Sequence, residues 1–143
     1  MSTDATFDPA RVRVLVVDDD AALRRMVTMV LEDAGWDVLE AKDGQEALAA
    51  MRSSPSRLVV LLDWKMPNMS GDEVLDVVVA TPELATRHAY ALITANGAMA
   101  TPHLMGLLRQ LAAPIVAKPF SIRDLLFAVE NLARRVGEEE VAS

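Results

Sequence analysis

Apolar positions along the chain follow two periods. The first gives short, nearly unbroken aliphatic runs. Val12 to Val17 (VRVLVV) ends at Asp18, Leu58 to Leu62 (LVVLL) ends at Asp63, and Ala89 to Ile93 (AYALI) ends at Thr94. Each run has the length of a strand, and apolar residues at almost every position predict burial on both faces. Asp37–Ala41 and Ile115–Ala117 are shorter candidates, the second ending at Lys118. The second period is helical. Leu23, Met26, Val27, Val30 and Leu31 predict a helix that stops at Gly35, and Ala47, Leu48 and Met51 predict another, capped by Asp43 with Glu46 three residues on. A turn-rich PNMSG leads into a third helix around Asp72–Ala80. Thr101 caps a fourth, with Pro102 at its tolerated first position. Ser121 and Asp124 open the last, with Ile122, Leu125, Leu126, Val129 and Leu132 facing inward. Residues 1–10 read as a flexible polar leader, 95–101 as a loop and 137–143 as a short acidic tail, leaving 11–136 as one domain.

Strands that alternate with helices predict an α/β fold, a parallel sheet covered on both faces. Right-handed crossovers then place every strand's carboxyl end on one edge, where such sheets bind ligands.

Composition narrows the function classes. With 52% hydrophobic residues but only 4% aromatic, the core must be mostly aliphatic. Cysteine is absent, which excludes disulfides and thiolate chemistry. No apolar run approaches the ~18 residues of a membrane span, and the first ten residues carry no signal core. A cytoplasmic protein without membrane insertion is therefore expected. The formal net charge of -7 disfavours direct contact with nucleic acid, whose phosphates require clustered Lys and Arg.

The strand ends carry the chemistry. Asp18-Asp19, Asp63, Thr94 and Lys118 are distant in sequence but converge on one edge of the predicted sheet. Clustered carboxylates repel by about 4 kcal/mol per pair at ~4 Å and an effective dielectric of ~20. The cluster must raise its pKa values, recruit a cation, or both. An all-oxygen set suits a hard ion, above all Mg²⁺. Lys118 adds a mobile charge for a phosphoryl oxygen and Thr94 a hydroxyl donor for another.

The stretches LVVDDD, LLDWKMPNMSG, LITA and VAKPF, in that order, resemble the CheY-like receiver domain of two-component response regulators over roughly residues 11–136. The resemblance implies a flavodoxin-like, doubly wound (βα)5 sandwich with strand order 2-1-3-4-5. It implies that Asp63 is the phosphoacceptor and that Asp19, Asp63 and the Lys65 backbone carbonyl hold Mg²⁺, with Asp18 beside them and partly acting through water. Thr94 would be the switch hydroxyl, Lys118 would contact the phosphoryl group, and the Lys118–Pro119 bond would be cis. Lys65 and Asn96 would flank the path of attacking water. The implied partners are a histidine kinase or phosphotransfer protein upstream and an effector protein downstream. Such a protein is a phosphoacceptor switch rather than an enzyme, beyond catalysing its own phosphorylation and dephosphorylation. With seven residues after the last predicted helix, a stand-alone receiver that signals by protein contact is expected.

Departures keep two other functions open. Ile115 stands where the family usually carries Tyr or Phe, and Leu111-Ala112-Ala113-Pro114 replaces a Gly-Ala-Asp-like turn. Together they imply an atypical output face, and Ile115 keeps open a receiver-like docking module that works without phosphate. Asp18-x-Asp20 after a strand also resembles a haloacid-dehalogenase-type phosphatase with Asp18 as nucleophile, although between Lys118 and the tail glutamates the acids are Asp124 and Glu130, six residues apart rather than paired. Other residues carry simpler expectations: Asp20 pairs with Arg24 at the surface, His88 and His103 are exposed, Met66 and Met69 pack a loop, and Trp64 either shields the site or binds a partner.

Overall fold

A computed structural model describes residues 12–95 and 100–142. The leader, and Asn96 with Gly97, lie outside them. Five strands form one parallel sheet in the order β2-β1-β3-β4-β5: β1 Val12–Val17, β2 Val38–Ala41, β3 Arg57–Asp63, β4 Ala89–Ala95 and β5 Ile115–Lys118. The helices are α1 Ala21–Asp33, α2 Gly44–Ser53, α3 Gly71–Val79, α4 Pro82–Arg87, α5 Pro102–Leu111 and α6 Ile122–Ala142.

The unbroken apolar runs resolve into two faces. Val12, Val14 and Val16, Val59 and Leu61, and Ala89, Ala91 and Ile93 pack with Val27 and Leu31 of α1 and Leu125, Val129 and Leu132 of α6. The alternate residues Leu15 and Val17, Leu58, Val60 and Leu62, and Tyr90 and Leu92 pack against α2, α3, α4 and α5. Successive side chains of a strand point to opposite faces, so burial on both requires an apolar residue at each step.

Caps fall where polar residues anticipated them. Asp43 accepts from the Glu46 N–H at 2.9 Å, Thr101 from the Leu104 N–H at 3.1 Å, and Ser121 from the Asp124 N–H at 3.0 Å. Gly35 ends α1 with a left-handed φ of 99°. The Trp36 and Gly35 N–H groups then close back on the Leu31 and Glu32 carbonyls, a Schellman closure that favours glycine. At the end of α5 the same left-handed conformation falls on Ala112, with φ 51°. Its Cβ costs energy that glycine would not, so Ala112→Gly is expected to stabilise the protein by about 0.5–1 kcal/mol in urea denaturation.

Three expectations change. A sixth helix, α4, lies between α3 and β4, with Leu84 as its buried residue. Helix α6 runs to Ala142, through residues read as a tail. His88 is buried at 4% exposure, not on the surface. Its Nδ1 accepts from the Leu58 N–H and its Nε2 donates to the Met51 carbonyl, both at 3.0 Å. Burial pushes the ring's pKa down, and the Arg87 and Arg57 charges add to the fall, against the opposing pull of the Met51 carbonyl. His103 is exposed as expected and pairs with Asp76 at 2.6 Å.

Candidate functional site: an acid cluster at the carboxyl edge of the sheet

The site follows from register. β1 and β3 pair with Val17 opposite Leu62, so Asp18 and Asp63 leave the sheet at the same level. Both are 7% exposed, whereas Asp19 is exposed in the loop beyond β1. One carboxylate oxygen of each lies within 4.8 Å of the others. Lys118, the last residue of β5, reaches across to place Nζ 3.3 Å from Asp63 Oδ1 and 3.6 Å from Asp18 Oδ2. Thr94 is buried on β4 one step beyond Ile93, the register partner of Asp63, and its hydroxyl donates to the Ala95 carbonyl at 3.3 Å. The sheet thus gathers Asp18, Asp19, Asp63, Thr94 and Lys118 at one edge. Asp124 is not in the acid cluster; it stands in the first turn of α6.

Burial and the neighbouring Asp18 carboxylate push the Asp63 pKa up to about 6, against the opposing pull of Lys118. An acid with a raised folded-state pKa binds more protons folded than unfolded between its two values. The stability this provides is fully present below the ordinary value of 3.8 and is lost as pH rises through about 6. In metal-free buffer, Asp63→Asn is therefore expected to exceed the wild type in stability at pH 7 by about 1–2 kcal/mol, after solvent screening. The difference should vanish below pH 4, as paired denaturation curves across the range from about 3.8 to 6 would show.

The backbone around Asp63 is tightly fixed. The Gly71 N–H, at the start of α3, donates to the Trp64 carbonyl at 2.6 Å, and the Trp64 N–H donates to the Ile93 carbonyl at 3.0 Å. A Cβ on Gly71 would come 2.6 Å from the Asp63 carbonyl oxygen, so only glycine lets α3 approach the strand end this closely. Trp64 is buried in the core beneath the Lys65 ammonium, 4.1 Å from the ring centroid, so it supports the site rather than offering a docking surface. Met66 is buried and Met69 packs against the same core. The bond from Lys118 to Pro119 is cis.

Two polar residues behind the cluster have partners that sequence spacing did not indicate. Asp20 caps α1, accepting from the Leu23 N–H at 3.1 Å, instead of pairing with Arg24. Arg24 turns inward, donating to the Asp18 carbonyl at 2.7 Å and to Glu40 on β2 at 3.0 Å.

A parallel sheet in this order, with acids at the ends of β1 and β3 and a lysine at the end of β5, defines the receiver class. The chain belongs to the response regulator receiver domain family, whose pattern it matches over residues 14–130. It is 36% identical over 124 residues to the phosphate regulon transcriptional regulatory protein PhoB of Pseudomonas aeruginosa, covering 87% of this chain and 52% of that protein. Among solved structures, it resembles a CheY-like receiver domain protein from Methanospirillum hungatei, with 30% identity, a TM-score of 0.72, and coverage of 89% of this chain and 95% of that one. It also resembles the chemotaxis protein CheY4 of Vibrio cholerae, with 29% identity, a TM-score of 0.70, and coverage of 85% and 98%. The chain spans about half the length of the curated relatives it matches. Among the described residues, no helix is long and apolar enough to cross a membrane.

Proposed function

We propose that Asp63 accepts a phosphoryl group in a Mg²⁺-dependent reaction and that the new charge switches the protein's contacts with an effector. One observation carries this: a buried, cation-facing carboxylate stands at the end of the central strand, with two further acids and a lysine converging on it. The Asp63 carboxylate oxygen attacks the donor's phosphorus and forms an acyl phosphate. The bond from phosphorus to the donor breaks, and the donor leaves with the electron pair. Lys118 supports charge on the transferred group, and Thr94 is available to meet another of its oxygens.

The donor set fits Mg²⁺: three carboxylates offer one oxygen each within 4.8 Å, and no softer ligand is among them. Asp18, Asp19, Asp63 and the Lys65 carbonyl would hold the ion, which when bound would neutralise charge on acids and phosphoryl oxygens together. Upstream, a histidine kinase or phosphotransfer protein fits as donor. Downstream, the net charge of -7 favours a protein partner over direct contact with nucleic acid. Acetyl phosphate with Mg²⁺ tests the core of this reading: the intact mass should rise by one phosphoryl group, and chelation of Mg²⁺ should prevent the rise. No mass change at saturating Mg²⁺ would leave the phosphate-independent docking function, which the half-exposed Ile115 at the start of β5 favours.

A further inference from the structure

The loop between β1 and α1 carries two of the three clustered carboxylates, and a guanidinium holds its main chain. Arg24 Nη1 donates to the Asp18 carbonyl at 2.7 Å, while Nε of the same group donates to Glu40 Oε1 at 3.0 Å. Glu40 lies on β2, and its second oxygen accepts from Arg25 at 2.6 Å. Burial raises the Glu40 pKa, but the Arg24 and Arg25 guanidiniums outweigh it and hold the carboxyl below its usual range. Arg24 and Glu40 side chains are only 16% and 22% exposed, so this bridge is shielded from much of the solvent that weakens surface pairs.

The bridge has a direction. β2 fixes Glu40, Glu40 orients the planar fork of Arg24, and the other arm of the fork grips the Asp18 main chain. Asp18 in turn accepts from the Asp20 N–H through Oδ1 at 2.9 Å, so the gripped segment also aims its own carboxylate. Arg24 contributes no atom to the acid cluster. We infer that Arg24, oriented by Glu40, is a positioning residue that fixes the Asp18–Asp19 segment relative to Asp63 and thereby sets the cluster's affinity for a divalent cation. This rests on the Mg²⁺ reading above.

Positioning and simple electrostatics predict opposite signs. Arg24→Gln removes a positive charge near the acids, which by charge alone would tighten cation binding. Loss of positioning would weaken it, and outer groups that orient ligands typically matter by about 10–100-fold in metal affinity. Arg24→Lys keeps the charge but cannot bridge two acceptors as a planar fork does.

Mg²⁺ is titrated calorimetrically into the wild type, Arg24→Gln, Arg24→Lys and the Arg24→Gln/Glu40→Gln double variant. Arg13→Gln serves as control, because it breaks the Arg13–Asp37 pair of 2.7 Å without touching the cluster. Unfolding curves in metal-free buffer accompany each titration. The expected result is a dissociation constant raised about tenfold or more in both Arg24 variants, unchanged in Arg13→Gln, and no further raised by adding Glu40→Gln. If Arg24→Gln does not fold, Arg24→Lys decides. Affinity tightened or within about twofold of wild type in the folded Arg24 variants overturns the positioning role, as does an equal loss in Arg13→Gln. A wild type that binds no Mg²⁺ overturns the metal reading itself, and this inference with it.

Discussion

Asp63→Asn is expected to reduce phosphoryl uptake from acetyl phosphate to background, a loss of at least ~1000-fold, or about 4 kcal/mol in the barrier. The amide has the volume of the carboxylate but lacks the anionic oxygen that must attack phosphorus. Misfolding cannot account for such a loss, because the same substitution relieves a raised carboxyl pKa and should stabilise the metal-free protein. Asp18→Asn and Asp19→Asn differ in kind: each removes a cation ligand, so uptake should fall yet recover as Mg²⁺ is raised. Initial rates at several Mg²⁺ concentrations separate the two behaviours, since added Mg²⁺ should restore nothing in Asp63→Asn.

Lys118→Ala should move two measurements in opposite directions. The ammonium sits 3.3 Å from Asp63 and 3.6 Å from Asp18, where it partly satisfies the acids that a cation would otherwise neutralise. Removing it should tighten Mg²⁺ binding while slowing phosphoryl uptake by about 100–1000-fold, the usual effect of one lost donor to a charged transition state. The metal-free variant should also lose stability at neutral pH, because two buried carboxylates forfeit their counter-charge. A Mg²⁺ titration and a single-turnover uptake rate on the same sample test this. Weaker Mg²⁺ binding together with slower uptake would point to a general structural role for Lys118 instead.

Much of the sheet was legible because strands buried on both faces leave no room for polar residues until they end. That is why Asp18 and Asp63 stood out: each closes a buried aliphatic run, while Lys118 closes a short, partly exposed edge strand, and parallel topology gathers such ends. Caps at Asp43, Thr101 and Ser121 were legible for a local reason, since each partner lies three residues away. What escaped was set by distant contacts or weak periodicity. Helix α4 buries Leu84 within six residues, too little to reveal a helical period. His88 reads as a surface histidine until the fold brings it to groups 30 and 37 positions away. Arg24 is four residues after Asp20, which suggested a local pair, but Glu40 and the Asp18 carbonyl outcompete it once Asp20 is committed to capping α1. The glutamates at 138–140 read as a tail because they are charged, yet glutamate is a good helix former and α6 continues through them.

Which aspartate carries the phosphoryl group is the most direct test. The protein is incubated with acetyl phosphate and Mg²⁺, the acyl phosphate is trapped by borohydride reduction, and the peptides are mapped by tandem mass spectrometry. Phosphoacceptance by the receiver site predicts a single reduced residue at Asp63, absent when Mg²⁺ is chelated. Reduction at Asp18 instead, persisting in Asp63→Asn, would contradict it and assign the nucleophile to the end of β1.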